Sequence, residues 1–198
     1  MSGEKDPKQI LRVDGKTQFL EVMANCLNID KVYINFEEYD ETKPQGQRKK
    51  AQVQFYLDTF ECYVLAKDIF SGKISALGKQ SLDTATKGGY KYAKEVFAKL
   101  GGVSAAKLAK KGESRSDGMS ISRQFKLTPG QKMAWVISAE TGPGEEDSNG
   151  LIVPKYKKPE QIIRIAMTDQ QLKIFASALE LLVQRWMSEK DFTSPNKA

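Results

Sequence analysis

The most pointed chemical pattern in the chain is a pair of short runs with polar residues at every second position: Lys31, Tyr33 and Asn35 in one, Gln52, Gln54 and Tyr56 in the other. That spacing is one face of a β-strand. Bases stack on tyrosine rings, an ammonium holds a phosphate, and amides adapt to any base edge, so such a face suits single-stranded nucleic acid. Ser122, Gln124 and Lys126 repeat the pattern, and Arg164 stands between Ile163 and Ile165. Carboxylates are nearly missing from these faces, strand-end acids such as Glu37 apart. Parity places Trp135 and Val136 on opposite faces and leaves open which one points outward.

Catalytic chemistry has far less to work with. The 198 residues contain no histidine, which removes the commonest general base and the commonest transition-metal ligand. Phosphate-binding Walker loops and nucleophile elbows are likewise missing. Acids such as Glu145, Glu146 and Asp147 fall in a turn-rich stretch and read as a solvated hairpin tip rather than a metal-dependent nuclease centre. The expectation is a non-enzyme with no catalytic residue, no metal ligand and no cofactor. Cys26 and Cys62 sit in apolar settings, as small core residues do, and a reducing cytoplasm is the default compartment. No apolar run approaches the roughly 20 residues of a membrane span.

Charge points to an anionic partner. The net charge is +6 and the pI about 9.1. Residues 72–132 hold 13 Lys and Arg against four acids, a surplus of nine, so the rest of the chain is net acidic.

Two strand–helix units hold these residues. In 51–57, Val53, Phe55 and Leu57 alternate with the polar set, and Asp58 opens a helix with Glu61 three residues on, the spacing of a capping box. Cys62, Leu65, Ala66 and Ile69 follow at helical spacing before Ser71-Gly72 ends it. In the second unit Ile163, Ile165 and Met167 alternate, Thr168 caps, Gln171 completes the box, and Leu172, Phe175, Ala176 and Leu179 follow. Each position of the second set is the first plus 110, as in Val53 to Ile163 and Ile69 to Leu179. An internal duplication is the simplest reading. Further strands are expected near 10–19, at 31–37, 119–127 and 132–140. Turn-rich loops at 38–47 and 141–150 end in the basic flanks 48–50 and 155–158.

The division that follows is a disordered start (1–9), a first sheet–helix repeat (10–72), a basic insert (73–117), a second repeat (118–190) and a disordered tail (191–198). The insert reads as a partly mobile arm, with short helices at 90–100 and 104–111, whose Lys87, Lys91 and Lys94 add phosphate contacts. The fold class expected is α+β, two tandem antiparallel-sheet-plus-helix repeats with a basic inserted segment.

Two sheet-then-helix copies resemble the plan of the Whirly proteins and, as one copy, the transcriptional coactivator PC4 group with its bacterial and phage relatives. The resemblance covers 31–70 and 119–187. It implies a sequence-tolerant binder of single-stranded DNA, with RNA left open, and it suggests a bacterial, phage or mobile-element setting. Apart from the resemblance, no membrane partner is expected and a homo-oligomer is left open. A different class stays open: a protein–protein adaptor or structural subunit of a phage or conjugative machine, assembling through the apolar stripe from Leu172 to Trp186.

Overall fold

A computed structural model describes residues 6–190. Four strands, β1 (Gln9–Asp14), β2 (Gln18–Met23), β3 (Lys31–Tyr39) and β4 (Lys49–Asp58), form an antiparallel sheet in that order. Two helices follow, α1 (Thr59–Phe70) and α2 (Lys73–Lys87). The second sheet begins with β5 (Phe97–Val103) and, after the short α3 (Ala105–Lys110), continues through β6 (Ser120–Pro129) and β7 (Trp135–Glu146). Beyond β7 its far edge is shared by β8 (Ile152–Pro154) and β9 (Gln161–Met167), which pair with different stretches of β7. Helix α4 (Asp169–Glu189) closes the chain. The class is α+β, two antiparallel sheets with helices.

Alternation explains the core. Val53, Phe55 and Leu57 of β4 and Ile163, Ile165 and Met167 of β9 are all buried, as are Cys62, Leu65, Ala66 and Ile69 of α1 and Leu172, Phe175, Ala176 and Leu179 of α4. The inner faces of the sheets meet at Phe125, whose ring centroid lies 5.7 Å from that of Phe55, 6.1 Å from that of Phe36 and 6.4 Å from that of Phe175 on α4. A single buried cluster therefore serves both sheets. Trp135 shares the inward parity of Ile137, and its indole Nε1 donates to Asp169 Oδ1 at 2.7 Å.

The caps of the two strand–helix junctions differ. Thr168 and Gln171 form the reciprocal capping box. Asp58 makes no such bond: its carboxylate takes Lys31 Nζ at 2.5 Å, while Glu61 pairs with Lys99 on β5.

Residues 73–117 depart most from expectation. Helix α2 packs through a face of mostly small residues: Ile74, Gly78 and Ala85 are buried, and a Cβ on Gly78 would lie 2.6 Å from the Trp135 ring. The helix expected at 90–100 does not form. Instead Phe97–Val103 pairs with β6 as the second sheet's first strand, with Gly101 against the Phe55 ring. A short helix does form within 104–111. The loop expected at 141–150 begins later, because β7 runs on to Glu146. Gly142 and Gly144 permit this, since Tyr156 and Ile152 lie where their side chains would project. Of the ends expected to be disordered, 1–5 and 191–198 lie outside the described residues, and Gln9 already belongs to β1.

Candidate nucleic-acid interface

The outward parity of β3 and β4 carries the expected polar face. Tyr33 and Tyr56 are cross-strand partners, stacked with centroids 5.1 Å apart and planes 20° apart. Burial, reinforced by Tyr56, pushes the Tyr33 hydroxyl up to about 12, so it stays a neutral donor near pH 7. Burial also raises Tyr56, which is nonetheless 39% exposed.

Several expected contacts are occupied within the chain. Asn35 is buried: its Nδ2 donates to Glu21 Oε2 at 3.0 Å, and its Oδ1 accepts from Gln52 Nε2 at 2.7 Å. It orients neighbours instead of meeting a ligand. Glu21, on the same face, also accepts from Gln9 and Arg12, and Glu37, raised by burial, stands beside it. The expectation of a face nearly free of carboxylates is therefore corrected for this sheet.

Along its outer edge β4 borders a groove floored by Gln54, Ile121 and Arg123. The groove comprises two contiguous hollows of about 330 Å³ and 520 Å³. Gln52, Arg115 and Glu160 bound one; Lys31, Tyr56, Cys26 and Lys111 bound the other. Arg123 has the core-side parity of Phe125, but lies near the start of β6, past the β4 edge, and so enters the groove. Burial lowers its pKa, an effect partly offset by Tyr56 and Tyr33. Every arginine ion pair among the described residues is made by Arg12, Arg115 or Arg185, none by Arg123. Arg115 is forked between Asp117 and Glu160 at 2.7–3.0 Å, holding both carboxylates below their usual range and tying the 112–118 loop to the start of β9.

The second sheet's outer face is less open than its sequence implies. Ser122 is fully buried, with Ile152 packed close by over Gly144, so it cannot meet a ligand. Gln124 Nε2 donates to the Tyr156 hydroxyl at 2.9 Å. Lys126 pairs with Glu140 at 2.9 Å, so this face too carries a carboxylate where none was expected. Arg164 is exposed on β9 opposite Ser138. Lys87, Lys91 and Lys94 are exposed at the far end of this sheet: Phe97 pairs with Leu127 there, whereas Val103 pairs with Ile121 beside the groove.

Thus Lys31, Tyr33, Gln52, Gln54 and Tyr56 come together, with Asn35 beneath them, and the remaining candidates fall on two other surfaces. Arg115, Arg123 and Tyr156, which the parity argument did not single out, also border these surfaces. Only Tyr156, within the basic flank 155–158, had a sequence signal. Among the described residues no group of three or more cysteine or acidic side chains is placed to hold a metal ion, and no helix is long and apolar enough to cross a membrane.

No protein-family profile and no curated protein matches the sequence. Among solved structures the fold is similar to the plant transcriptional regulator PBF-2, with a TM-score of 0.47 and 10% identity, covering 95% of this chain and 88% of that one. It is similar also to WHY1 from Arabidopsis thaliana, with a TM-score of 0.44 and 10% identity, covering 93% and 96%.

Proposed function

We propose that the chain binds single-stranded DNA with little sequence preference, in the groove along β4. The observation that carries this reading is Arg123, a half-buried guanidinium beside the stacked Tyr33–Tyr56 pair with no ion-pair partner among the described residues. A partly desolvated cation without a counter-ion is costly, and a phosphate relieves that cost while an adjacent base covers the exposed Tyr56 ring. Lys111 and Lys31 flank the path, with Lys31 held by Asp58 and with Glu113 on the same wall. A duplex reader needs a polar helix for the major groove, but the exposed faces of α1 and α4 carry Phe60, Val64, Ile174 and Leu181.

The test is fluorescence anisotropy with a labelled thymidine oligomer, its RNA counterpart and a duplex, for wild type and Arg123→Gln. Single strands should bind more tightly than duplex. The variant should weaken binding and flatten the slope of log affinity against log salt by about 0.7, one phosphate contact on a single strand. Equal affinity for duplex, or an unchanged slope, would refute the groove.

Self-association is a second reading, favoured by the same exposed apolar side chains. The stripe Leu172–Trp186 expected to mediate assembly is buried in the chain's own core, so any interface uses the opposite faces of the helices. Light scattering of Leu181→Glu against wild type tests it. The shared 110-residue offset supports duplication of one sheet–helix unit as the origin of both halves.

A further inference from the structure

Residues 88–94, linking α2 to β5, carry Tyr90 and Tyr92, which at 68% and 64% are the most exposed of the chain's tyrosines. We propose that this strap is a second stacking platform for single-stranded nucleic acid, separate from the groove along β4. The proposal rests on the reading of the chain as a single-strand binder.

Three observations support it. The strap is held at several points, unlike the mobile arm its lysines and glycines suggest. Tyr90 N donates to Ala85 O at 2.9 Å, Gln131 Nε2 donates to Lys91 O, Ser81 Oγ donates to Lys94 O at 2.8 Å, and Val96 N donates to Leu127 O at 2.9 Å. Rings fixed before binding lose little freedom on binding. The backbone is shaped for the rings: Gly89 adopts φ +66°, and a Cβ on Gly88 would lie 2.5 Å from the Tyr90 ring, so only glycine lets that ring fold back over the chain. Lysines, finally, outnumber acids at the strap, Glu95 being the acid that lines its hollow. Lys91 Nζ lies 5.3 Å from the Tyr92 ring centroid, and Lys87, Lys91, Lys94 and Lys132 are exposed. Every lysine ion pair among the described residues is made elsewhere. A hollow of about 540 Å³ between Leu77, Thr84 and the two tyrosines gives a flipped-out base a place beside the rings.

Aromatic rings with lysines free of ion pairs around them suit a single strand, since the bases and the phosphates alternate along it. The strap and Arg123 stand at opposite ends of the β5–β6 pair, so one strand engaging both sites gains by effective concentration.

The experiment measures affinity of the full chain for labelled thymidine oligomers across a salt series, in wild type, Tyr90→Ala/Tyr92→Ala, Tyr90→Phe/Tyr92→Phe and Tyr33→Ala/Tyr56→Ala. The alanine pair at the strap should weaken binding about fivefold or more per ring with an unchanged salt slope. The phenylalanine pair, which keeps the faces, should bind as wild type. An alanine pair that binds as wild type overturns the strap and leaves the groove standing. A phenylalanine pair as weak as the alanine pair assigns the effect to the hydroxyls and overturns stacking. Loss at the strap with none in Tyr33→Ala/Tyr56→Ala instead removes the groove and keeps the strap.

Discussion

Replacing Tyr56 by alanine separates stacking from charge at the groove. In the free protein the change removes one ring from the Tyr33–Tyr56 stack, with centroids 5.1 Å apart, and such a pair contributes about 0.5–1.5 kcal/mol beyond its burial. Against a domain stability on the order of 5–15 kcal/mol the fold persists, so binding remains readable. The ring's outer surface is 39% exposed, and a base stacked on it contributes about 1–3 kcal/mol, or roughly a 5- to 150-fold loss of affinity in the variant. Because no formal charge changes, the salt slope should stay at its wild-type value, whereas Lys31→Ala, next along the groove, should flatten it by about 0.7. Tyr56→Phe should bind as wild type, since the hydroxyl is not needed for stacking. The assay is anisotropy with a labelled thymidine oligomer between low and high salt, with urea unfolding of each variant as the control for folding. Should Tyr56→Ala bind as wild type while unfolding normally, or should its slope fall with that of Lys31→Ala, base stacking at β4 is refuted.

Three further outcomes follow from the geometry. Phe125→Ala, which vacates the junction of both sheets and α4, should destabilise by about 3–5 kcal/mol in urea unfolding, with every spectroscopic probe shifted alike. Gly78→Val should push α2 away from Trp135, because even a Cβ lies 2.6 Å from the ring, and should change the tryptophan fluorescence without abolishing the second sheet. The Arg115 fork holds Asp117 down at about 2 against an ordinary 3.8. A depressed carboxylate stabilises above its unfolded pKa and loses that contribution as pH falls through the folded one, so the 112–118 loop should lose hydrogen-exchange protection, measured against the intrinsic rate at each pH, on acidification from about pH 4 to 2. In Arg115→Gln the loop should be unprotected throughout that range, and a loop equally protected in the variant would exclude the fork as its tether.

Periodicity made the core legible because it is local. Val53, Phe55 and Leu57 announce their burial by alternation, and Thr168 with Gln171 announces a helix start. Where packing rests on small residues, that signal fails. Gly78 and Ala85 form the buried face of α2 without one large apolar side chain beyond Ile74, and 97–103 carries Ala, Lys and Leu, good helix formers, in a segment whose strand pairing is set by β6. The site was legible only in part for a related reason. Parity assigns a face, but not which part of that face another element covers: Ser122 shares the outward parity of Gln124 yet is buried where Ile152 packs. Arg123 has inward parity and still opens to solvent, because its neighbour sheet ends at β4. Lys126 and Lys31 keep their expected faces, and their carboxylate partners come from β7 and from the end of β4.

The junction at Phe125 also bears on how such a chain can change over generations. Its ring touches Phe36 and Phe55 from one half and Phe97 and Phe175 from the other, so neither half owns a complete interior. A substitution that alters volume on one side is felt by residues encoded some hundred codons away. The solvent faces of the two sheets are then free to change independently, one carrying tyrosines and the other a lysine–glutamate pair, while their interiors are bound to change in step. Recombination that exchanged one half for that of a distant relative would join two interiors shaped against different partners, and it would succeed only where the aromatic cluster travelled with it.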